Sequence, residues 1–240
     1  MRVTSRDWRQ VALPAVVALA LPAVFVGNAL LLLVHPWLVD VQYALPGFPG
    51  PYIDLASDQR SGLAVTGVRA ISPWNGDGVQ LLRDARLPSG EPAFDTREVA
   101  HMSDVRAVVA GFMVAWMIGV VALTGGVIAL HRAGAGALLW RGLGWGASAT
   151  LAAFAALGLY MLADFDAFFT SFHGVFFEGD SWRFASDDTL LSLYPDQFWG
   201  FAAGAAAVLI LLQAVAALLA SRRKSVRPAE THRGGTQTQV

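Results

Sequence analysis

The 240-residue chain has no cysteine at all. That excludes a disulfide framework, a thiolate metal site, a cysteine nucleophile with its thioester intermediate, and a lipid anchor carried on a cysteine. Charge is scarce too: Asp, Glu, Lys and Arg make up 15% of residues, against about 25% in an average soluble domain. That is too little to cover a surface facing water. Neither H-E-x-x-H nor H-x-x-x-H occurs, and no G-x-S-x-G elbow offers a serine nucleophile. No nucleic acid is expected as a partner, and no cofactor is implied. Apolar residues, by contrast, make up 55% of the chain, gathered into four long runs.

The first run, Val11 to Val34, is 24 residues without a charge. At about 1.5 Å per residue it reaches roughly 36 Å, more than the ~30 Å core of a bilayer. Arg2, Arg6 and Arg9 before it also suit a signal peptide, but the run is too long for an ordinary signal and reads as a retained helix, kinked at Pro14 and Pro22. Further runs cover about residues 105–130, 138–163 and 199–220. Gly142, Gly144, Gly146 and Ser148, then Gly200 and Gly204, give the small-residue spacing that lets helix backbones approach. The expected fold is therefore all-α: residues 1–240 as one membrane domain, a bundle of four transmembrane helices.

Charge position sets the direction. The N-terminus, the short turn taken as His131 to Arg141 and the tail 221–240 hold 10 of the 17 basic residues; loops 35–104 and 164–198 hold 16 of the 18 acidic ones. The positive-inside rule places both termini in the cytoplasm and the two acidic loops outside. Arg222, Arg223, Lys224 and Arg227 suit anionic lipids of the inner leaflet.

The first outer loop reads as a small cap of short helices and strands. A helix is expected over Ser57 to Ile71, strands at Val79 to Arg83 and before Phe94, and a turn at Pro88-Ser89-Gly90. Asp95 and Glu98 have capping-box spacing, so a helix starts there and runs into the second span. In the second loop Phe165, Phe168, Phe169, Phe172 and Phe176 follow a helical stripe, joined by Phe177, Trp182 and Phe184. The stripe suits either an interfacial helix or the wall of an acyl groove built from Phe169, Phe172, Phe176 and Phe177.

Of the five histidines, His131 and His232 fall beside arginines on the cytoplasmic side, and His35 reads as an anchor at the membrane interface. His101 and His173 each lie at an outer membrane edge among carboxylates. On a helix, Glu98 and Asp104 flank His101 at three residues either way; Asp166 lies two turns from His173. Two such histidines suit general acid–base catalysis of acyl transfer, direct rather than through an acyl-enzyme, or metal binding with a carboxylate, or plain hydrogen bonding at the interface. A non-catalytic membrane protein that binds lipid or a partner, and a lipid-ester or metal-dependent hydrolase, stay open beside acyl transfer.

Two segments carry a family resemblance. F-D-T-R-E-V-A-H-M-S-D-V-R, and D-F-D-A-F-F-T-S-F-H-G-V-F-F-E-G-D-S-W-R-F-A-S-D-D-T-L-L-S-L-Y-P-D-Q-F-W, resemble the corresponding stretches of the lipoprotein intramolecular transacylase (Lit) family. The resemblance implies a bacterial cytoplasmic-membrane acyltransferase acting on diacylated lipoproteins. It would move the sn-2 acyl chain of the diacylglyceryl-cysteine to that cysteine's own α-amino group, giving the lyso form. The family's paired histidines fall on His101 and His173. Glu98, Asp104 and Asp166 are then orienting candidates, Trp182 and Arg183 candidate oxyanion or substrate contacts, and no residue is assigned to a metal.

Overall fold

The computed structural model describes residues 5–225, with side chains described for 10–222. Arg2, Arg227 and His232, and the side chains of Arg6, Arg9, Arg223 and Lys224, lie outside the described residues. Among the described residues nine helices follow one another: α1 Ser5–Leu33, α2 Trp37–Tyr43, α3 Ser57–Ile71, α4 Gln80–Asp84, α5 Thr96–Arg132, α6 Gly136–Ala163, α7 Phe165–Phe176, α8 Thr189–Leu193 and α9 Asp196–Ser225. Four of them, α1, α5, α6 and α9, are long and apolar enough to cross a membrane. Large apolar side chains point outward from them, as with Leu19, Val121 and Leu162, each more than 70% exposed. That is the reverse of a water-soluble bundle and suits lipid as solvent.

Helix α1 is the hub, and the reason is bulk. A Cβ on Gly142 or Gly146 of α6 would lie 2.6 Å from the carbonyl of Pro14 or Ala18 in α1. A Cβ on Gly126 of α5 would meet Val17 at 2.9 Å. Only glycine allows these backbones so close. Pro14 and Pro22 lie within a continuous α1. A polar chain crosses the bundle: Trp116 Nε1 donates to Asn28 Oδ1 at 3.0 Å, and Asn28 Nδ2 to Gln213 Oε1 at 2.8 Å.

The remaining helices form a cap at one end of the bundle, with its own core of Leu38, Val39, Ala64, Val68, Leu82, Phe94, Leu193 and Tyr194. Polar anchors tie its pieces together. Buried Arg60 donates to the carbonyls of Ser192 and Pro49, and Tyr194 Oη donates to the carbonyl of Ala64. Gly67 admits that hydroxyl, which a Cβ would meet at 2.2 Å. Past the end of α3, Arg106 collects the carbonyls of Ala70 and Ser72, which a helix terminus leaves without partners, and that of Asn75 in the loop that follows.

The expected strands are corrected. Gln80–Asp84 is a short helix, with Gln80 Nε2 bonded to Asp84 Oδ1 at 2.9 Å, an i,i+4 pairing that helical geometry provides. A five-residue run is too short for periodicity to separate helix from strand. The turn at Pro88-Ser89-Gly90 forms, with Gly90 at φ +88°. Around it the only β pairing among the described residues is a single bridge between Arg86 and Pro92.

Candidate functional site

The start of α5 fixes one half of the site. Asp95 Oδ1 accepts from the Glu98 backbone N–H at 2.6 Å, and Glu98 Oε2 accepts from Asp95 N–H at 2.7 Å. The other oxygen of Glu98, Oε1, accepts from the N–H of Leu190 at 2.7 Å. Two backbone donors 95 positions apart thus share one buried carboxylate, which pins α8 to α5 and sets His101 one turn further along. Helix α5 has 37 residues, about 55 Å at about 1.5 Å per residue. Its charge-free stretch begins only after Arg106, so His101 stands above it at the membrane edge.

The other half comes from α7. The chain turns sharply at Asp164, whose side chain caps α7 by accepting from Ala167 N–H at 2.9 Å. The phenylalanine stripe then carries α7 from α6 toward α5: Phe168 meets Tyr160 and Phe176 meets Phe112. This brings the His173 ring to 6.4 Å from that of His101, centroid to centroid, with planes 24° apart. One reacting group can reach both, the geometric requirement for a paired acid and base.

Aromatic rings enclose the pair. Phe169 and Trp182 lie on His173 at 4.0 and 4.6 Å, and Phe177 and Phe184 on His101 at 5.0 and 5.3 Å. His173 Nδ1 pairs with the carbonyl of Phe169 at 2.8 Å. A carbonyl only accepts, so the proton sits on Nδ1 and Nε2 keeps its lone pair. Burial holds the His173 pKa below its ordinary value, partly offset by that hydrogen bond; the ring is neutral at pH 7. Nδ1 of His101 and Nε1 of Trp182 are buried and have no hydrogen-bond partner.

Of the candidate orienting carboxylates, Glu98 is committed to Asp95 and Leu190, while Asp104 and Asp166 are exposed to solvent. None of the three is hydrogen-bonded to a histidine. Arg183 pairs with Asp180 at 3.3 Å and lies over the Trp182 ring. Phe172 and Phe176 continue the aromatic wall, and Phe176 lines a groove of about 340 Å³ with Val108, Gly111, Phe112 and Ala115. Among the described residues, no three His, Asp or Glu side chains gather as a metal site would require.

Of the residues around the histidines, Arg97 escapes a reading of the sequence. Phe184 closes over His101, and Arg97 holds it there: its guanidinium lies 5.1 Å from the Phe184 ring and pairs with Asp188 at 2.7 Å. The available signal for Arg97 is its place one turn before His101 on α5.

Fold and site together define a class, the all-α integral membrane proteins with four spans and a cap that holds paired histidines against an aromatic wall. The model of the lipoprotein intramolecular transacylase Lit family matches residues 81–199, which include both histidines. An uncharacterised protein of Aquifex aeolicus (strain VF5) is 30% identical over 161 residues, 67% of this chain and 70% of that one. The in meso structure of the membrane-integral Lit of Bacillus cereus superposes with a TM-score of 0.70 at 18% identity, covering 89% of this chain and 94% of that chain. A structure of the same protein with a histidine replaced by arginine gives 0.67, over 91% and 92%. The chain belongs to the lipoprotein intramolecular transacylase Lit family, and at that level it is a Lit-like acyltransferase of the membrane.

Proposed function

We propose that this chain transfers the sn-2 acyl chain of a lipoprotein's diacylglyceryl-cysteine to the α-amino group of the same cysteine, in the bacterial cytoplasmic membrane. The observation that carries this reading is the convergence of His101 and His173, 72 positions apart in sequence, to 6.4 Å within one aromatic enclosure. The charge pattern supports a cap outside the membrane, where such a substrate presents its amine and ester.

His173 is the base in this scheme, because its Nδ1 is engaged and its Nε2 is a free acceptor. The α-ammonium, with a reference pKa of about 8, loses one proton to give the amine. The amine attacks the ester carbonyl, and the C–N bond forms as the glycerol C–O bond breaks. A second nitrogen proton passes to His173 and is relayed through His101 to the departing glycerol oxygen, so both imidazoles end as they began. The products are an amide and an alcohol, and the first proton goes to solvent. Both reactants belong to one molecule, so proximity contributes much of the rate.

Trp182 supplies the oxyanion donor, since its buried N–H lacks any other acceptor. Arg183 sits behind it as a substrate contact. Phe169, Phe172, Phe176 and Phe177 wall the acyl chain. Glu98 orients His101 through the helix start it holds, and Asp104 and Asp166 attract the ammonium by their charge.

The test is expression in a host whose lipoproteins keep a free N-terminus, followed by mass spectrometry of the lipopeptides. An unchanged acyl count with one chain moved to nitrogen is expected. Net loss of a chain makes the protein a hydrolase, and unaltered lipopeptides overturn catalysis.

A further inference from the structure

The groove of about 340 Å³ continues, into the membrane, the face of α5 on which His101 stands. Val108, Gly111, Phe112 and Ala115 line it, at positions i, i+3, i+4 and i+7 of one helix face. Val108 and Ala115 follow His101 by seven and fourteen residues. Seven residues make almost two whole turns, so both fall nearly in line with the imidazole. Every lining side chain is apolar. Phe176 of α7 forms the side wall and links the groove to the site. Its ring lies 6.4 Å from that of Phe177, which lies 5.0 Å from His101 and 5.5 Å from His173. Ala115 is nine residues past Arg106, the last charge before the span. At about 1.5 Å per residue that is about 13 Å, close to the midplane of a ~30 Å core. Gly111 is exposed, and a Cβ there would meet nothing within 4 Å. Gly119 and Gly126 of the same helix differ, since α1 comes close to both. The missing side chain of Gly111 serves no helix packing, and it leaves the groove open.

We propose that this groove holds the acyl chain under transfer, the sn-2 chain, and that Gly111 is the residue that admits long chains; the inference rests on the transacylase reading above. Depth and shape favour that occupant. An acyl chain whose ester sits at the membrane edge beside the histidines ends near the midplane, where the groove ends. Spread over the roughly 10 Å of helix from Val108 to Ala115, the volume is about 34 Å² in section. That is room for one hydrocarbon chain and too little for a helix about 10 Å across. Surrounding lipid is as apolar as the groove, so docking gains little by desolvation. What the groove supplies is position: a chain held in line with His101 presents its carbonyl to both imidazoles.

The test uses the purified full-length protein in lipid nanodiscs and diacylglyceryl lipopeptides with a free amine. One lipopeptide carries butanoyl at sn-2 and hexadecanoyl at sn-1, another the reverse, and a third hexadecanoyl at both. Gly111 lies about 15 Å along α5 from His101, beyond the reach of a butanoyl chain and within that of a hexadecanoyl chain. The wild type should transfer the sn-2 chain of all three. Gly111→Phe should slow transfer of sn-2 hexadecanoyl about tenfold relative to sn-2 butanoyl, as misplacement of a reacting group does, whatever chain is at sn-1. Ala115→Phe, one turn deeper, should show the same selectivity and replaces G111F if that protein does not fold. Gly125→Phe is the control, on the same helix ten residues beyond Ala115 and with nothing within 4 Å of its Cβ position; it should leave the ratio of rates unchanged. Equal slowing of both sn-2 chains, no slowing, a penalty that follows the sn-1 chain, or a dimer that G111F dissociates each overturns the proposal. A wild type that moves none of the three chains defeats the transacylase reading itself, and this inference with it.

Discussion

Trp182 lies nearly flat against His173, with ring centroids 4.6 Å and planes 29° apart, and its indole N–H is buried without an acceptor. Trp182→Phe keeps a stacking ring and removes only that donor. The expected loss in the chemical rate is about 10²–10³-fold, typical of one oxyanion donor, with an unchanged unfolding temperature. Single-turnover assays on a defined diacyl lipopeptide measure it, and wild-type rates in this variant remove the oxyanion role.

The depressed pKa of His173 sets a pH dependence. A base must be neutral, so the rate referred to free substrate amine, whose own share falls below its reference pKa of about 8, holds below the usual histidine value of about 6.5 and is lost as pH falls through the lower folded-state value. Stability follows the same sign. The unfolded chain takes up the proton first, so folding free energy declines over the window between the two values. An NMR titration of the His173 C2 proton reads the midpoint directly, and a midpoint at or above 6.5 contradicts the prediction.

His101→Ala and His173→Ala should each lower the transfer rate about 10²–10⁴-fold. Because the two act on one proton relay, the double variant should be little worse than the poorer single one. Multiplicative losses in the same assay would mean two independent roles.

Glu98→Gln tests the brace between α5 and α8. Glutamine offers one carbonyl where two buried backbone N–H groups now each have an oxygen. The cost of one unsatisfied donor is about 1–3 kcal/mol, and thermal unfolding in micelles should show it. The histidines are untouched, so an unchanged melting point would mean that the brace contributes nothing.

Gly146→Ala should destabilise the bundle by about 1–3 kcal/mol, as overpacking does, because the new methyl meets the Ala18 carbonyl at 2.6 Å. Gly158→Ala is the control, with nothing within 4 Å of its Cβ position. It should be neutral or slightly stabilising by helix propensity. Equal unfolding temperatures for the two variants would refute close packing of α1 against α6.

The long helices are legible in the sequence because a charge-free run longer than a bilayer core has few other uses. Local signals are legible for a related reason: the helix at Ser57–Ile71, the Asp95–Glu98 box and the α7 stripe depend on neighbours three or four residues away. Val79 to Arg83 defeats that logic by being too short to show a period. At the site, the interval of three residues correctly puts Glu98 beside His101 along the helix. It cannot reveal that Leu190, 92 positions on, occupies the carboxylate. The burial of Trp182 and the reach of Arg97 to Asp188 are likewise products of tertiary closure, invisible to any local window.

The two histidines stand on supports of different stiffness. His101 rides on a rod that continues without a break to the short turn at the far side of the bundle, whereas His173 belongs to a segment set off from α6 by the corner at Asp164. When hydrophobic thickness changes, a long helix answers mainly by tilting. A tilt of that rod reaches His173 through ring contacts, Phe176 on Phe112 of α5 and Phe177 against both imidazoles; those rings, rather than a shared helix, hold the spacing of the pair.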